Sequence, residues 1–269
     1  MDVSVIIVNY NTFQLTCQCL ESIVGRSHGF SYEIILVDNA STEVDAREFK
    51  KRFPEIILIL SDKNVGFAKG NNLGIEKAKG KYVLLLNSDT VLKNNAILLC
   101  KEHLDKHSNT AVVSARLEYA DGTVQHNCQR FPSIRYKLFE LLRLQKLVSH
   151  KRRGMILFGF FFDHNTPAFP DWVWGTFFMF RSELLKTLPG HKLADDFFMY
   201  GEDMQWCLEF RKRGYAIAFE PAGKVIHYMG KSGAPAKVWM EQNAGLFMKK
   251  YYSPLSRWII RNLDQLLIP

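Results

Sequence analysis

The sequence predicts an α/β protein with a doubly wound, mostly parallel central sheet. Apolar, β-branched runs alternate with segments of helical periodicity through the first third of the chain, which is the order expected of parallel strands crossed by helices. The runs are continuous rather than alternating, as in strands that are covered on both faces. In sheets of this type ligands bind at the carboxyl ends of the strands, so functional residues are expected there.

Most of the predicted elements lie in the N-terminal part. The first four strands are predicted over residues 3–10, 32–41, 56–60 and 81–89. Helices are predicted between them, over residues 12–24, 43–52 and 67–79. The alternation of strand and helix patterns changes after about Val113, and a later strand is predicted near residues 215–219. Because no linker rich in Gly, Ser or Pro divides the chain, we expect one compact domain whose C-terminal half is built onto the edge of the sheet.

Composition limits the class of partner. The chain has 269 residues, 47% of them hydrophobic, and a formal net charge of +8. An excess of basic residues suits nucleic acid, nucleotide phosphates or an anionic membrane surface, and charge alone does not select among them.

Cysteine usage and the N-terminus predict a cytoplasmic location. The five cysteines form no C-x-x-C pair and their number is odd, which favours a reduced protein without a disulfide framework or structural zinc. Met1 is followed by an acid and then by a strand pattern, so no signal peptide is predicted. No apolar run approaches the roughly 18 residues that a spanning helix needs.

Polar residues end three of the four predicted strands. Each end by itself is typical of a turn, since Asn and Asp are common there. Together they predict a shared crevice. The residues are Asn9, Tyr10 and Asn11 on the first strand, Asp38 and Asn39 on the second, and Asn87, Ser88 and Asp89 on the fourth.

Three further segments allow both a structural and a functional interpretation. The Gly- and Asn-rich segment 63–74 is either a turn with Gly66 in a left-handed conformation or a loop that lets a flat or anionic ligand approach the backbone. Glu202 and Asp203 begin a helix, where acids stabilise the helix dipole or supply a general base. His227 follows a short strand, where it is either structural or a metal ligand. The chain lacks G-x-G-x-x-G, and residues 74–81 miss the spacing of a phosphate loop.

Seven segments, in this order, resemble family 2 glycosyltransferases of the GT-A fold, over roughly residues 3–232. The combination of NVGFAKGNN with LLLNSD is most similar to the rhamnosyltransferase-type branch, which builds bacterial surface polysaccharides. The segments are VIIVNYN, ILVDNAS, NVGFAKGNNLGI, YVLLLNSDT, WGTFFMFRSELL, FFMYGEDMQWCLEFRKRGY and VIHYMGKS.

The resemblance implies a domain plan and a reaction. A GT-A domain is expected over residues 1–232, with a Rossmann-like nucleotide-sugar half (1–115) and an acceptor and catalytic half (116–232), followed by a helical extension (233–269). The implied enzyme is a hexosyltransferase that moves a sugar, with rhamnose as one candidate, from a UDP- or dTDP-sugar to a saccharide or polyprenyl-linked acceptor. Nucleic acid is not an expected partner.

The resemblance also assigns roles on the donor side. Asp89 matches the last acid of the family's D-x-D element and would bind Mg²⁺ or Mn²⁺, joined by His227. Asn87 stands where the first acid is usual, and its amide can still bond a ribose hydroxyl, with Ser88 beside it. The remaining expected nucleotide-sugar contacts are Asn9, Tyr10, Asn11, Asp38, Asn64, Gly66 and Asn71.

On the acceptor side, the resemblance implies an inverting displacement. Asp203 matches the family's general base and Glu202 is the reserve candidate. Trp174 and Gly175 match a segment that lines the acceptor side. Two other functions stay open at this point: a nucleotidyltransferase, and a non-catalytic nucleotide-sugar-binding assembly protein.

The basic, aromatic segment 133–163 also has two interpretations. It packs in the core or against another subunit, or it rests on an anionic membrane. The apolar stripe of residues 258–267, with Arg257 and Arg261 beside it, allows the same two interpretations.

Overall fold

The computed structural model of the chain describes residues 1–229 and 236–267. The strands are β1 (Val3–Asn9), β2 (Tyr32–Asp38), β3 (Ile57–Leu60), β4 (Tyr82–Asn87), β5 (Thr90–Leu92), β6 (Thr110–Glu118), β7 (Cys128–Gln129), β8 (Trp172–Val173), β9 (Phe177–Arg181) and β10 (Ala216–His227). The helices are α1 (Phe13–Arg26), α2 (Arg47–Arg52), α3 (Phe67–Ile75), α4 (Ala96–Lys106), α5 (Ile134–Leu141), α6 (His150–Leu157), α7 (Glu202–Lys212), α8 (Ala236–Tyr251) and α9 (Pro254–Leu267).

Eight strands form one central sheet in the order β3-β2-β1-β4-β9-β6-β10-β5. The first four are parallel to one another. Strand β9 is antiparallel to both β4 and β6, whereas β10 runs parallel to β6. The second half of the chain thus continues the sheet from its β4 edge, and the predicted α/β class with a mostly parallel sheet is confirmed.

Two apolar layers cover the sheet. Val5 and Ile7 of β1 and Leu84 of β4 pack in one core cluster, whereas Ile6 and Leu85 pack in the other. Successive side chains of a strand point to opposite faces. The continuous apolar runs therefore reflect strands buried on both sides, as the sequence predicts.

Several elements differ in length from their predictions. Strand β2 stops at Asp38 because the Asp38 carboxylate accepts the backbone N–H of Ser41, which folds the chain into a turn. The helix predicted over 43–52 begins only at Arg47, where the Asp45 carboxylate accepts the Arg47 N–H. Strand β10 is far longer than residues 215–219 and continues to His227 past an irregularity between Glu220 and Lys224.

The C-terminal residues that the structure describes are helical, in α8 and α9. The division predicted at residue 232, and the last residues of the VIHYMGKS segment, lie outside the described residues, so the domain plan stays a prediction. Helices long and apolar enough to cross a bilayer are absent from residues 1–229 and 236–267.

Candidate active site

Three predicted strand ends meet at one edge of the sheet. Asn9 pairs with Asp38 on β2, and Val8 pairs with Asn87 on β4. Neighbouring strands lie about 4.8 Å apart. The polar residues that end β1, β2 and β4 therefore lie at the same edge of the sheet, and the shared crevice stays a prediction.

The Asn9 side chain connects the ends of β1 and β2 and the start of α1 through four hydrogen bonds. Its buried amide nitrogen donates to Asp38 Oδ1 at 2.7 Å and to Ser41 Oγ at 2.9 Å. Its carbonyl oxygen accepts the hydroxyls of Thr12 and Thr16 at 3.0 and 2.8 Å. The Asn9 side chain is fully engaged within the protein, so it acts on the crevice by orienting the Asp38 carboxylate.

Hydroxyl contacts extend this network to the end of β4. The Thr12 hydroxyl lies 3.0 Å from Ser88 Oγ. Asn11, with φ +52°, accepts the Thr42 N–H through its side-chain oxygen at 2.8 Å. Tyr10, in the same turn, is 36% exposed, which leaves its side chain accessible to a ligand.

The Gly-rich loop is tied to the same edge by Asn39. The Asn39 amide nitrogen donates to Asn64 Oδ1 at 2.8 Å, and its oxygen accepts the Val65 N–H at 3.0 Å. Gly66 has φ +84°, and a Cβ there would lie 2.3 Å from the carbonyl oxygen of Phe198. Only glycine fits this approach.

Asn71 lies behind that loop, in α3. It is 1% exposed, and its amide donates to the carbonyl of Phe67 at 3.0 Å. Asn71 therefore supports the first turn of α3. Its predicted contact with a nucleotide, like that of the other donor-side residues, stays a prediction.

Asp89 and His227 come together although 137 residues separate them in the chain. Strand β5 pairs antiparallel with β10, so that Thr90 faces His227. Asp89 Oδ1 lies 3.4 Å from His227 Nε2, and the Asn87 amide nitrogen lies 3.5 Å from the same ring nitrogen. Asn87 Oδ1 is buried and has no hydrogen-bond partner among the described residues.

Gln125 holds the His227 side chain and selects the tautomer of its neutral ring. The Gln125 amide nitrogen donates to the His227 carbonyl at 2.8 Å, which directs Gln125 Oε1 toward His227 Nδ1 at 2.7 Å. An amide oxygen only accepts hydrogen bonds, so Nδ1 carries the proton. In the neutral ring Nε2 then bears the lone pair, which lies 3.4 Å from Asp89 Oδ1 and 3.5 Å from the Asn87 amide donor.

These groups suit a divalent cation. A carboxylate, an imidazole nitrogen and an unpartnered buried amide oxygen offer the hard and borderline ligands that Mg²⁺ or Mn²⁺ accepts. Groups of three or more His, Cys, Asp or Glu side chains arranged for a metal are absent from the described part of the chain. The shell would therefore need a diphosphate and water to be complete.

The other half of the site is the start of α7. Gly201 has φ +98° and precedes Glu202 and Asp203. Asp203 is partly exposed, and its oxygens accept the N–H groups of Gly175 at 3.0 Å and Met204 at 2.8 Å. Glu202 is buried, and its Oε2 has no partner among the described residues.

Burial shifts the titration of both carboxyls. It raises the pKa of Glu202 strongly, and the neighbouring Asp203 charge adds to that rise. Burial also raises the pKa of Asp203, but the N–H donors of Gly175 and Met204 oppose the rise. Asp203 is thus the carboxyl that ionises first and stands ready to accept a proton.

Phe67 joins the two halves of the site. Its N–H donates to the Phe198 carbonyl at 2.8 Å, in the segment that leads into α7. A Cβ on Gly175 would lie 3.4 Å from the Phe67 ring and 3.5 Å from Asp203 Cβ. Trp174, partly exposed, donates its backbone N–H to Asn127 at 3.1 Å. The acceptor-side pair predicted from the sequence therefore lies next to the predicted base.

The family model described as "Glycosyl transferase family 2" matches residues 4–188, more than half of the chain. The chain belongs to this family. Its match to a curated relative is shorter: it is 28% identical over 141 residues to the minor teichoic acid biosynthesis protein GgaB of Bacillus subtilis. That match covers 50% of this chain and 16% of GgaB.

Two solved structures show that this family 2 chain has the GT-A-like fold. GalNAc-T7, crystallised with UDP, GalNAc and Mn²⁺, superposes with a TM-score of 0.68 at 15% identity, over 92% of this chain and 47% of GalNAc-T7. The mannosyltransferase PcManGT of Pyrobaculum calidifontis, in complex with GDP-Man and Mn²⁺, gives 0.61 at 19% identity, over 99% of this chain and 70% of that one. The fold and family predictions are confirmed, and the rhamnosyltransferase-like branch stays a prediction.

Sequence reasoning missed two residues of this family 2 site. Gln125 lies in an irregular segment after β6, and no local pattern marks it. Phe67 appears in the sequence only as the first residue of a helix. Both are recognised through contacts with residues more than 100 positions away.

Proposed function

We propose that this chain catalyses an inverting glycosyl transfer from a nucleoside-diphosphate sugar to a hydroxyl of a saccharide or lipid-linked saccharide, in surface polysaccharide synthesis. The donor would be a UDP- or dTDP-sugar, with rhamnose among the candidate sugars. The observation that carries the proposal is the ionisable Asp203 carboxylate, which lies beside Gly175 and is joined through Phe67 to the Gly66 loop.

Asp203 is the proposed general base. As the acceptor oxygen attacks the anomeric carbon, its proton passes to the Asp203 carboxylate, and the bond between that carbon and the diphosphate oxygen breaks. A base is most effective when its pKa lies near the working pH, and burial moves the pKa of Asp203 in that direction. Direct displacement on the face opposite the leaving group inverts the anomeric centre.

Asp89 and His227 are the proposed holders of Mg²⁺ or Mn²⁺. A divalent cation neutralises the charge that develops on a departing diphosphate. Asp89 would contribute a carboxylate oxygen and His227 its Nε2 lone pair, because the Gln125 contact places the ring proton on Nδ1. Asn87 Oδ1, which is buried and has no partner among the described residues, is the proposed third ligand from this chain. The Mn²⁺ in both similar structures supports this part of the proposal.

The donor nucleoside would lie along the edge formed by β1, β2 and β4. Asp38 is the proposed hydrogen-bond acceptor there, held by Asn9. Tyr10 offers an exposed ring to the base. The loop from Asn64 to Gly66 would close the pocket, because its glycine brings the backbone close to the segment before α7.

Titration calorimetry with Mn²⁺ and a panel of nucleotide sugars tests this assignment. Asp89→Ala is expected to abolish metal-dependent donor binding. Gln125→Met keeps the side-chain length but removes both hydrogen bonds to His227, and we expect it to weaken Mn²⁺ binding by about 10–100-fold. Gln129→Met, the same substitution at a residue whose side chain donates to the His126 carbonyl and not to His227, is the matched control.

Two outcomes would contradict the assignment. Unchanged Mn²⁺ affinity in Asp89→Ala would remove the metal site, and unchanged affinity in Gln125→Met alone would remove only the role of Gln125. Product analysis separates the reaction classes, because a nucleotidyltransferase would release pyrophosphate whereas glycosyl transfer releases a nucleoside diphosphate.

A further inference from the structure

The segment between β7 and β8 carries apolar side chains that the core does not use. None of the residues of α5 is buried, and in α6 only Gly154 is. Leu147 and Phe160 are each 80% exposed, and Leu142 is 64% exposed. Core packing therefore does not account for these side chains.

The same segment is strongly basic. Residues 133–163 contain seven Lys and Arg side chains against two acids, Glu140 and Asp163. Arg143 and Lys146 are exposed and alternate in sequence with the exposed leucines, and Lys151 and Arg152 follow them. We call these exposed side chains of the segment, Leu142, Arg143, Lys146, Leu147 and Phe160, the basic apolar face.

Helix α9 packs beside this face and exposes apolar residues of its own. Lys137 of α5 pairs with Asp264 of α9 at 2.6 Å, and Ile260 turns into the protein. Trp258 and Leu266 are 65% and 67% exposed. Helices α5 and α9 thus pack against each other and still leave apolar side chains exposed. An exposed Trp such as Trp258 is typical of the boundary between lipid and water.

The basic apolar face is attached next to the acceptor side of the site. Strand β7 pairs with β8, with Gln129 opposite Trp172. The Trp172 indole donates to the Arg130 carbonyl at 3.1 Å, where the exposed segment begins. Trp174 and Gly175 follow two and three residues later. The segment that carries this face therefore begins beside the strand that leads to Trp174 and Gly175.

We propose that the basic apolar face, with the exposed side of α9, is a docking surface for an anionic lipid bilayer. Protruding leucines and a phenylalanine insert among the acyl chains, while the neighbouring cations bind acidic headgroups. The charge of the face argues against a second copy of this chain, since two such faces repel each other. Docking does not depend on the proposed sugar transfer, so the two are tested separately.

Co-sedimentation of the full chain with vesicles tests the docking surface. We expect binding to vesicles of phosphatidylcholine with phosphatidylglycerol, and much weaker binding to phosphatidylcholine alone. Arg143→Gln with Lys146→Gln should weaken the partition by about fivefold per charge. Leu142→Ser with Leu147→Ser should abolish most of the remaining binding.

Matched controls use residues exposed elsewhere on the chain. Val24→Ser with Leu60→Ser removes two exposed apolar side chains, and Lys77→Gln with Lys186→Gln removes two exposed charges. Both control pairs should bind like the unchanged protein. Thermal melts monitor folding, which substitutions at such exposed positions should leave intact.

The proposal is overturned if the face variants and the control variants partition alike, or if binding does not depend on acidic lipid. It is also overturned if light scattering shows that the chain self-associates through Leu142 and Leu147 and does not bind vesicles. That result would assign the face to a second copy of this chain.

Discussion

Asp38 and Glu202 are buried to a similar extent, at 4% and 6% exposure, yet their surroundings are opposite. Both carboxylate oxygens of Asp38 have donors, from the Asn9 amide and the Ser41 backbone. Glu202 Oε2 has no partner among the described residues. A buried charge without donors is costly. The carboxylate at the edge of β1 and β2 is therefore fully hydrogen-bonded, whereas the start of α7 retains a buried acid without a partner beside the proposed base.

This difference assigns distinct protonation states to adjacent residues. Burial and the Asp203 charge keep Glu202 protonated to a higher pH than Asp203, whose N–H donors favour its ionised form. At neutral pH Asp203 is the ionised carboxyl of the pair, whereas Glu202 stays neutral. Environments that push two pKa values apart identify which acid serves as the base.

The largest expected effect comes from Asp203→Asn. Loss of a general base lowers turnover by about 10²–10⁴-fold, while Asn retains the size of the side chain and an acceptor for the Gly175 N–H. Glu202→Gln is the adjacent control, and we expect it to keep most of the activity because Glu202 is already uncharged. Steady-state kinetics with the matching donor measures both variants.

The reverse pattern would exchange the roles of the two acids. If Glu202→Gln lost the activity and Asp203→Asn kept it, the base would be Glu202. If both variants kept it, neither carboxyl would take the acceptor proton.

Asn9→Ala tests the hydrogen-bonded network around Asp38. It removes the amide donor to Asp38 Oδ1 and the oxygen that accepts the Thr12 and Thr16 hydroxyls, and the loss of buried partners costs about 1–3 kcal/mol of unfolding free energy. Urea denaturation measures the loss. Asn262→Ala, on the exposed side of α9, should change the unfolding free energy little. Equal stability of the two variants would show that the Asn9 network does not hold the edge together.

The smallest expected effect is a gain of stability in Glu202→Gln at alkaline pH. The pKa of Glu202 is raised by folding, so the native protein loses stability as pH rises from the ordinary range of a glutamate through the raised value. Glutamine does not ionise and avoids this loss. The melting temperature of the variant should exceed that of the unchanged protein by a few degrees at high pH, on a scale of about 2–4 °C per kcal/mol. A difference that is constant from acid to alkaline pH would contradict the buried, unpartnered state of Glu202.

The sequence predicts the parallel half of the fold well because its information is local. Continuous apolar runs specify β1, β2 and β4, and the polar residues at their ends follow directly. Strand β5 has only three residues, too few for a recognisable sequence pattern, and it is defined by its pairing with β10. Asp89 and His227 were identified by resemblance, but their proximity depends on that pairing. Gln125 carries no local signal, since its role exists only once His227 lies beside it.

The β5–β10 pairing has a consequence for the order of folding. It closes a loop that runs from Thr90 to His227, and closing a long loop is slow and entropically costly before its contacts form. A chain still being synthesised has the donor edge of β1, β2 and β4 long before it has His227. The proposed nucleotide-contacting residues are thus in place early, and Asp89 gains its imidazole partner only when the chain has reached His227, late in the described residues. Metal affinity, followed during refolding, would report the completion of the fold.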